Sequence, residues 1–228
     1  MIRWDAPGPY VVAFTTREGG VSTGAFSSLN LGNRYDDQTR VAENRRLACT
    51  ELGLDADRLA VNRQHHTSLA HRALAGERDR VGDALWSDEP GLPMLAVTAD
   101  CVPIAIAATG GRPALSVVHA GWRGLAGCVI EAAVHELESP ETAAIVGPAS
   151  GPCCYEVGAE VSELFDADLT SGGILDLWAA AERALVRAGV SRVDRVDLCT
   201  RCNPELFFSH RRSGPRRGAQ GVIGAVAG

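Results

Sequence analysis

Apolar and polar positions change their period several times along the chain, and each change predicts an element. Residues 10 to 16 (YVVAFTT) form a short apolar run closed by a turn at Glu18-Gly19-Gly20, which predicts a strand. Residues 38 to 53 carry Val41, Leu47 and Leu52 among their apolar positions and stop at Gly53, which predicts a helix. Leu59 to Arg63 reads as another strand and leads into Gln64-His65-His66. The apolar run from 94 to 107 is broken at Asp100-Cys101-Val102-Pro103, where proline suits a strand that ends or bulges rather than a continuous central one. Residues 114 to 119 (ALSVVH) read as a buried strand running into Ala120-Gly121-Trp122-Arg123-Gly124 and then a helix to about Leu137. Ala143 to Val146 reads as a short strand, 156 to 166 and 174 to 189 as helices, and 193 to 198 as a last strand. Interleaved strands and helices predict an α/β or α+β class, with the chemistry on loops at the strand ends.

Composition narrows the function classes. A chain of 228 residues, 46% apolar, is expected to form one large domain with a sizeable core. No uninterrupted apolar stretch is long enough to span a membrane, and the first ten residues lack a basic-then-apolar leader. Seven cysteines, an odd number, sit in a chain too large to need disulfide staples, so a reducing cytoplasm is expected. A net charge of −6 and only 5% aromatic residues argue against nucleic acid or an anionic membrane as partner. All 22 basic residues are arginine. This excludes Schiff-base chemistry and a P-loop lysine, so any anion must be met by arginine, backbone N–H groups or a metal.

Three segments then stand out, each placing an imidazole or thiol at the end of a predicted strand: Gln64-His65-His66, Ala99-Asp100-Cys101 and His119-Ala120-Gly121-Trp122-Arg123-Gly124. If the strands are neighbours, two histidines and Cys101 form a three-ligand zinc set with a fourth position open. Zinc lowers the pKa of a bound water to about 7. The bland alternative is a core cysteine and two hydrogen-bonded histidines, and spacing leaves both readings open. Asp100 is unusual inside an apolar run, since a buried acid must be hydrogen-bonded or functional. Arg123, at a predicted helix start, is either an anion ligand or a surface residue, and Trp122 reads as packing. The Arg211, Arg212, Arg216, Arg217 cluster reads as a solvated loop able to clamp an anion. Cys49 and Cys128 fall in predicted helices and read as core. Cys199-Thr200-Arg201-Cys202 is a lone CxxC. Its pairing with Cys153-Cys154 as a structural zinc site is disfavoured, because adjacent cysteines do not easily supply tetrahedral geometry.

Taken together, these motifs resemble those of a known family. They are Phe14-Thr15-Thr16-Arg17-Glu18-Gly19-Gly20-Val21-Ser22, Ser28-Leu29-Asn30-Leu31-Gly32, Thr98-Ala99-Asp100-Cys101-Val102-Pro103, the HAGWRG segment 119 to 124, Cys153-Cys154-Tyr155-Glu156-Val157-Gly158 and Phe207-Phe208-Ser209-His210-Arg211-Arg212. The chain resembles the YfiH-like, or multicopper polyphenol oxidase, family nearly end to end. The resemblance implies an α+β single domain over 1–228, with a mixed β core flanked by helices. It implies a metal site of His66, Cys101 and His119, with zinc as the expected ion and copper as competitor. It implies purine nucleosides and phosphate as partners: phosphorolysis of adenosine, inosine and 5′-methylthioadenosine to free base and ribose 1-phosphate, with adenosine deamination beside it. Arg123 and Arg211 are then candidates for phosphate, and Asp100 for a proton carrier or the hydrogen-bond partner of a histidine ligand. The family motif before the first histidine usually reads QVHG, and here it is Gln64-His65-His66-Thr67. His65 is thus an alternative ligand, and Thr67 stands where glycine would give backbone freedom. Two other readings remain: a cysteine hydrolase with Cys101 as nucleophile, and a copper polyphenol oxidase, which six histidines poorly supply.

Overall fold

The long apolar run splits into two strands that enter different sheets. A computed structural model describes all residues from Met1 to Gly228. Met94–Thr98 joins a five-stranded sheet ordered Ile2–Arg3, Tyr10–Phe14, Gln220–Val226, Met94–Thr98, Ala60–Val61. Val102–Ala108 joins a six-stranded sheet ordered Arg192–Arg195, Thr142–Val146, Val102–Ala108, Leu115–Ala120, Ala84–Ser87, Ala70–Arg72. Both sheets are mixed: their inner strands pair antiparallel, the six-stranded sheet has a parallel pair at each edge, and the five-stranded sheet has one, between Ala60–Val61 and Met94–Thr98, its other edge pair being antiparallel.

Strand alternation explains the layers. Ala105 and Ala107 share one core with Val12, Phe14, Met94 and Val222 of the five-stranded sheet, so this core lies between the sheets. Ile104 and Ile106 face the opposite core, against Val129, Ile130, Leu177 and Leu185 of two helices, Val129–Glu136 and Leu177–Arg187. A strand buried on both faces reads as a continuous apolar run, which is why residues 102 to 107 show no period of two. The outer face of the five-stranded sheet, with Ala13, Leu95 and Ile223, is covered by Ala48 and Cys49 of the helix Gln38–Glu51. Asp37 caps that helix by accepting from the amides of Thr39 and Arg40. No helix is long and apolar enough to cross a membrane.

Several elements differ from expectation. Pro103 does lie in a central strand, but at its second position, where a missing donor is tolerated. The helix expected to reach Leu137 is broken into Trp122–Ala126 and Val129–Glu136 by Cys128, whose φ is 64°. Cys128 is therefore exposed rather than core, whereas Cys49 is buried. The helix expected over 156 to 166 shrinks to Ala159–Ser162, and Ile174–Leu175 pairs with Thr170–Ser171 before the next helix begins. The strand Gln220–Val226, central in its sheet, escapes the hydrophobic pattern because Gly221 and Gly224 interrupt it. A Cβ on Gly221 would meet the Ala96 carbonyl oxygen at 2.3 Å, so close backbone approach explains that glycine.

Candidate functional site

Strand register brings the three expected ligands together. Val102 pairs with Ala120 and Pro103 with His119, which sets Cys101 beside Gly121. His66 comes from the loop after Ala60–Val61. The ligand atoms of His66, Cys101 and His119 all lie within 4.8 Å of one another. The two imidazole rings meet edge to face with centroids 4.9 Å apart. His119 is buried, Cys101 half-buried and His66 exposed, so the site opens on the His66 side. His65 is outside the cluster, and His66 is the residue that alignment on Gln64 selects.

The carboxylate that organises this site is one that sequence reasoning missed. Asp83 precedes the strand Ala84–Ser87, whose pairing with Leu115–Ala120 sets it against His119. Asp83 Oδ1 lies 2.8 Å from His119 Nδ1, and the Asp83 carbonyl accepts from the His119 amide at 2.8 Å. The same carboxylate accepts from the amides of His65 (3.2 Å), His66 (3.0 Å) and Thr67 (2.6 Å) and from the Thr67 hydroxyl (2.7 Å). One buried acid thus folds the ligand loop and fixes the His119 ring. The residue with positive φ is His66, at 58°, rather than Thr67, which contributes its hydroxyl instead. The only signal in the sequence was the Gly82-Asp83 pair at a turn, which does not tell a functional acid from a solvated one.

Electrostatics follow from this geometry. Burial opposes charge on Asp83, but His119 and Thr67 outweigh it and hold the carboxyl well below the usual carboxylate range. Burial likewise opposes charge on His119, but Cys101 and Asp83 outweigh it and raise the imidazole to about 9. Burial first, and the neighbouring His119 second, hold His66 below its ordinary value. A metal must displace the His119 proton, while the ligand form of His66 is already favoured. With Nδ1 engaged by Asp83, Nε2 of His119 is the nitrogen left for a ligand role. Two imidazoles and a thiol, one imidazole oriented by a carboxylate, are a donor set that fits zinc.

Gly121 explains the first glycine of the HAGWRG segment. A Cβ there would meet His66 Nδ1 at 2.6 Å and Cys101 Sγ at 2.9 Å. Gly121→Ala is expected to displace both side chains and to weaken metal binding by the cluster about 10-fold or more. Metal analysis beside a thermal melt checks this. An unchanged metal affinity would sink it.

Other expected residues fall differently. Asp100 is buried with φ 91° and accepts from the Thr200 hydroxyl and the Arg211 amide, both at 2.6 Å. The hydrogen-bond partner of a site histidine is therefore Asp83, not Asp100. Arg123 is exposed and lies over the Trp122 ring at 4.0 Å, in a helix of only five residues. Arg211 stacks on Tyr155 at 4.5 Å, and Arg212 donates to the carbonyls of Thr200, Arg201 and Phe207. Arg217 is half-buried and its Nε has no hydrogen-bond partner. Burial lowers its pKa, while Asp100 and Cys101 pull it upward. Contrary to expectation, Cys153, Cys154, Cys199 and Cys202 gather as a second cluster, with their sulfurs within 4.8 Å.

Comparison with known proteins agrees with this architecture. Residues 11–226 match the family model described as multi-copper polyphenol oxidoreductase laccase. The chain is 35% identical over 226 residues to the Pseudomonas aeruginosa protein named purine nucleoside phosphorylase PA4543, covering 92% of this chain and 91% of the relative. It is 34% identical over 225 residues to the Escherichia coli protein named purine nucleoside phosphorylase YfiH, with the same coverage. The crystal structure of YlmD from Geobacillus stearothermophilus superposes with a TM-score of 0.90 at 32% identity, covering 99% of this chain and 94% of that one. The chain therefore belongs to the YfiH-like family that carries the multi-copper polyphenol oxidoreductase laccase description.

Proposed function

We propose that the chain, as one catalytic domain, is a purine nucleoside phosphorylase that uses phosphate to cleave adenosine, inosine and 5′-methylthioadenosine. The convergence of His66, Cys101 and His119 around Gly121 carries the reading. The names of the relatives supply the substrate class. In this reaction a phosphate oxygen bonds to C1′ of the ribose as the N-glycosidic bond breaks, and the departing base takes up a proton. His66, Cys101 and His119 would hold a zinc ion, which supplies Lewis acidity when bound. Asp83 orients His119 and anchors the His66 loop. Arg217, with an unpartnered and half-buried Nε, is the first cation for phosphate. Arg123 and Arg211 are the more exposed ones. Asp100, its carboxylate engaged by Thr200 and Arg211, is a positioning residue for the turn that carries Cys101. Adenosine deamination at the same site is the accompanying activity.

One observation favours a second reading. His119 stands between Asp83 and Cys101, as in a cysteine hydrolase with an oriented base. A second imidazole beside the thiol, that of His66, is superfluous to such a triad and necessary to a metal site. The copper oxidase reading is weaker, because only two of the six histidines share a cluster able to hold a metal.

The test is a nucleoside screen on metal-analysed protein, with and without phosphate. Ribose 1-phosphate is expected only with phosphate, and Arg217→Ala is expected to raise the phosphate KM about tenfold or more. The nucleoside KM should change little. Folded, metal-loaded protein that converts no nucleoside would refute the proposal, and alkylation-sensitive hydrolysis by metal-free protein would favour the triad.

A further inference from the structure

We infer that Cys153, Cys154, Cys199 and Cys202 form a second metal site, a four-thiolate structural zinc centre separate from the His66–Cys101–His119 cluster. The four residues come from two loops. Gly151 to Cys154 turn back on themselves, with the amides of Cys154 and Tyr155 donating to the Gly151 carbonyl at 2.9 and 3.1 Å. Cys199 to Cys202 lie alongside, joined by the bridge between Ala149 and Cys199 and by the Thr200 amide donating to Ala149 at 3.0 Å. The turn answers the objection that adjacent cysteines cannot share a metal. It presents Cys153 and Cys154 to the same partner, with Cys202 Sγ 3.5 Å from the first sulfur and 3.2 Å from the second.

The spacing suits a metal better than a disulfide. Zinc–sulfur bonds of about 2.3 Å set tetrahedral ligands about 3.8 Å apart. All four sulfurs here lie within 4.8 Å of one another, and none is bonded to another. A disulfide would join one pair at about 2.05 Å and leave two thiols over.

The surroundings of Cys199 favour a thiolate. The Gly151 amide donates to Cys199 Sγ at 3.4 Å. Amide donors aimed at a sulfur stabilise negative charge on it. Arg201, inside the CxxC, donates to the Cys154 carbonyl, and Arg212 donates to the carbonyls of Thr200 and Arg201. Two guanidinium groups thus flank a centre whose four thiolates exceed the charge of the zinc ion. On binding, the thiol protons pass to solvent and no redox step is required.

Position gives the centre its use. Thr200, between Cys199 and Cys202, donates its hydroxyl to Asp100, the neighbour of Cys101. A metal that clamps the two loops fixes Thr200, and through it the turn that carries a ligand of the first site.

The test uses full-length protein purified under reductant, with metal content measured in wild type and three variants. The double variant Cys101→Ala/His119→Ala removes the first site and is expected to retain one zinc per chain. Cobalt added to its metal-free form should give intense thiolate-to-cobalt charge transfer with the intensity of four thiolates. Cys153→Ser/Cys202→Ser should lose one zinc relative to wild type, and Thr200→Val should keep it. If the cysteine double variant does not fold, the cobalt spectrum of the first variant decides. Absence of zinc and of charge transfer in Cys101→Ala/His119→Ala overturns the proposal. So does a mass 2 Da low that reports a Cys154–Cys202 disulfide.

Discussion

His119→Ala is expected to remove the metal of the first site and to lower kcat/KM by about a thousandfold or more. A bound metal contributes several kcal/mol of charge stabilisation, and each 1.4 kcal/mol is about tenfold in rate. His119 is nearly fully buried, and its loss leaves the Asp83 carboxylate without its imidazole partner. Some stability therefore falls with the activity. Cys101→Ser separates the two effects, because it keeps size and position while replacing a soft ligand with a hydroxyl. Both variants should lose activity, whereas only His119→Ala should lower the melting temperature by several degrees. A Cys101→Ser protein that keeps a tenth of wild-type turnover would remove Cys101 from the machinery.

Asp83 carries the second large effect, divided between stability and metal binding. Asp83→Ala leaves the amides of His65, His66 and Thr67 and the Thr67 hydroxyl without their acceptor. Breaking a buried, hydrogen-bonded charge pair costs about 3–5 kcal/mol. At this chain length that corresponds to a fall of roughly 10 °C in Tm. Asp83→Asn keeps one acceptor oxygen but turns an amide donor toward other donors and no longer supports a charged His119. It should weaken metal binding about 10–100-fold, as loss of a carboxylate behind a ligating histidine does, with a smaller loss of stability. Calorimetry against a competing chelator together with thermal melts checks both. Wild-type metal affinity in Asp83→Asn would show that the Asp83–His119 pair does not serve the metal.

The two acids behave oppositely with respect to what could be read beforehand. Asp100 was conspicuous because it interrupts an apolar run, yet its carboxylate serves the turn through Thr200 and Arg211, residues about a hundred positions away. Asp83 was inconspicuous because it sits in an ordinary polar stretch, and only strand pairing carries it to His119. Arg217 behaves similarly, read from its neighbours as part of a solvated loop and found half-buried with a free Nε.

The sequence by itself determined the strands around Tyr10–Phe14, Leu115–Ala120 and Thr142–Val146, the helix Gln38–Glu51 with its Gly53 stop, and the residue types of the His66–Cys101–His119 cluster, because these rest on local period, a helix stop and residue chemistry. It also determined that arginine must meet any anion, since there is no lysine. Tertiary structure alone decided that the run from 94 to 107 divides between two sheets and that Gln220–Val226 is central. It decided that Asp83 holds His119 and that four cysteines from two loops meet. The reason is register: pairings such as Pro103 with His119 and Ala84 with Val118 are set by the burial of whole sheets, and no local window of sequence contains them.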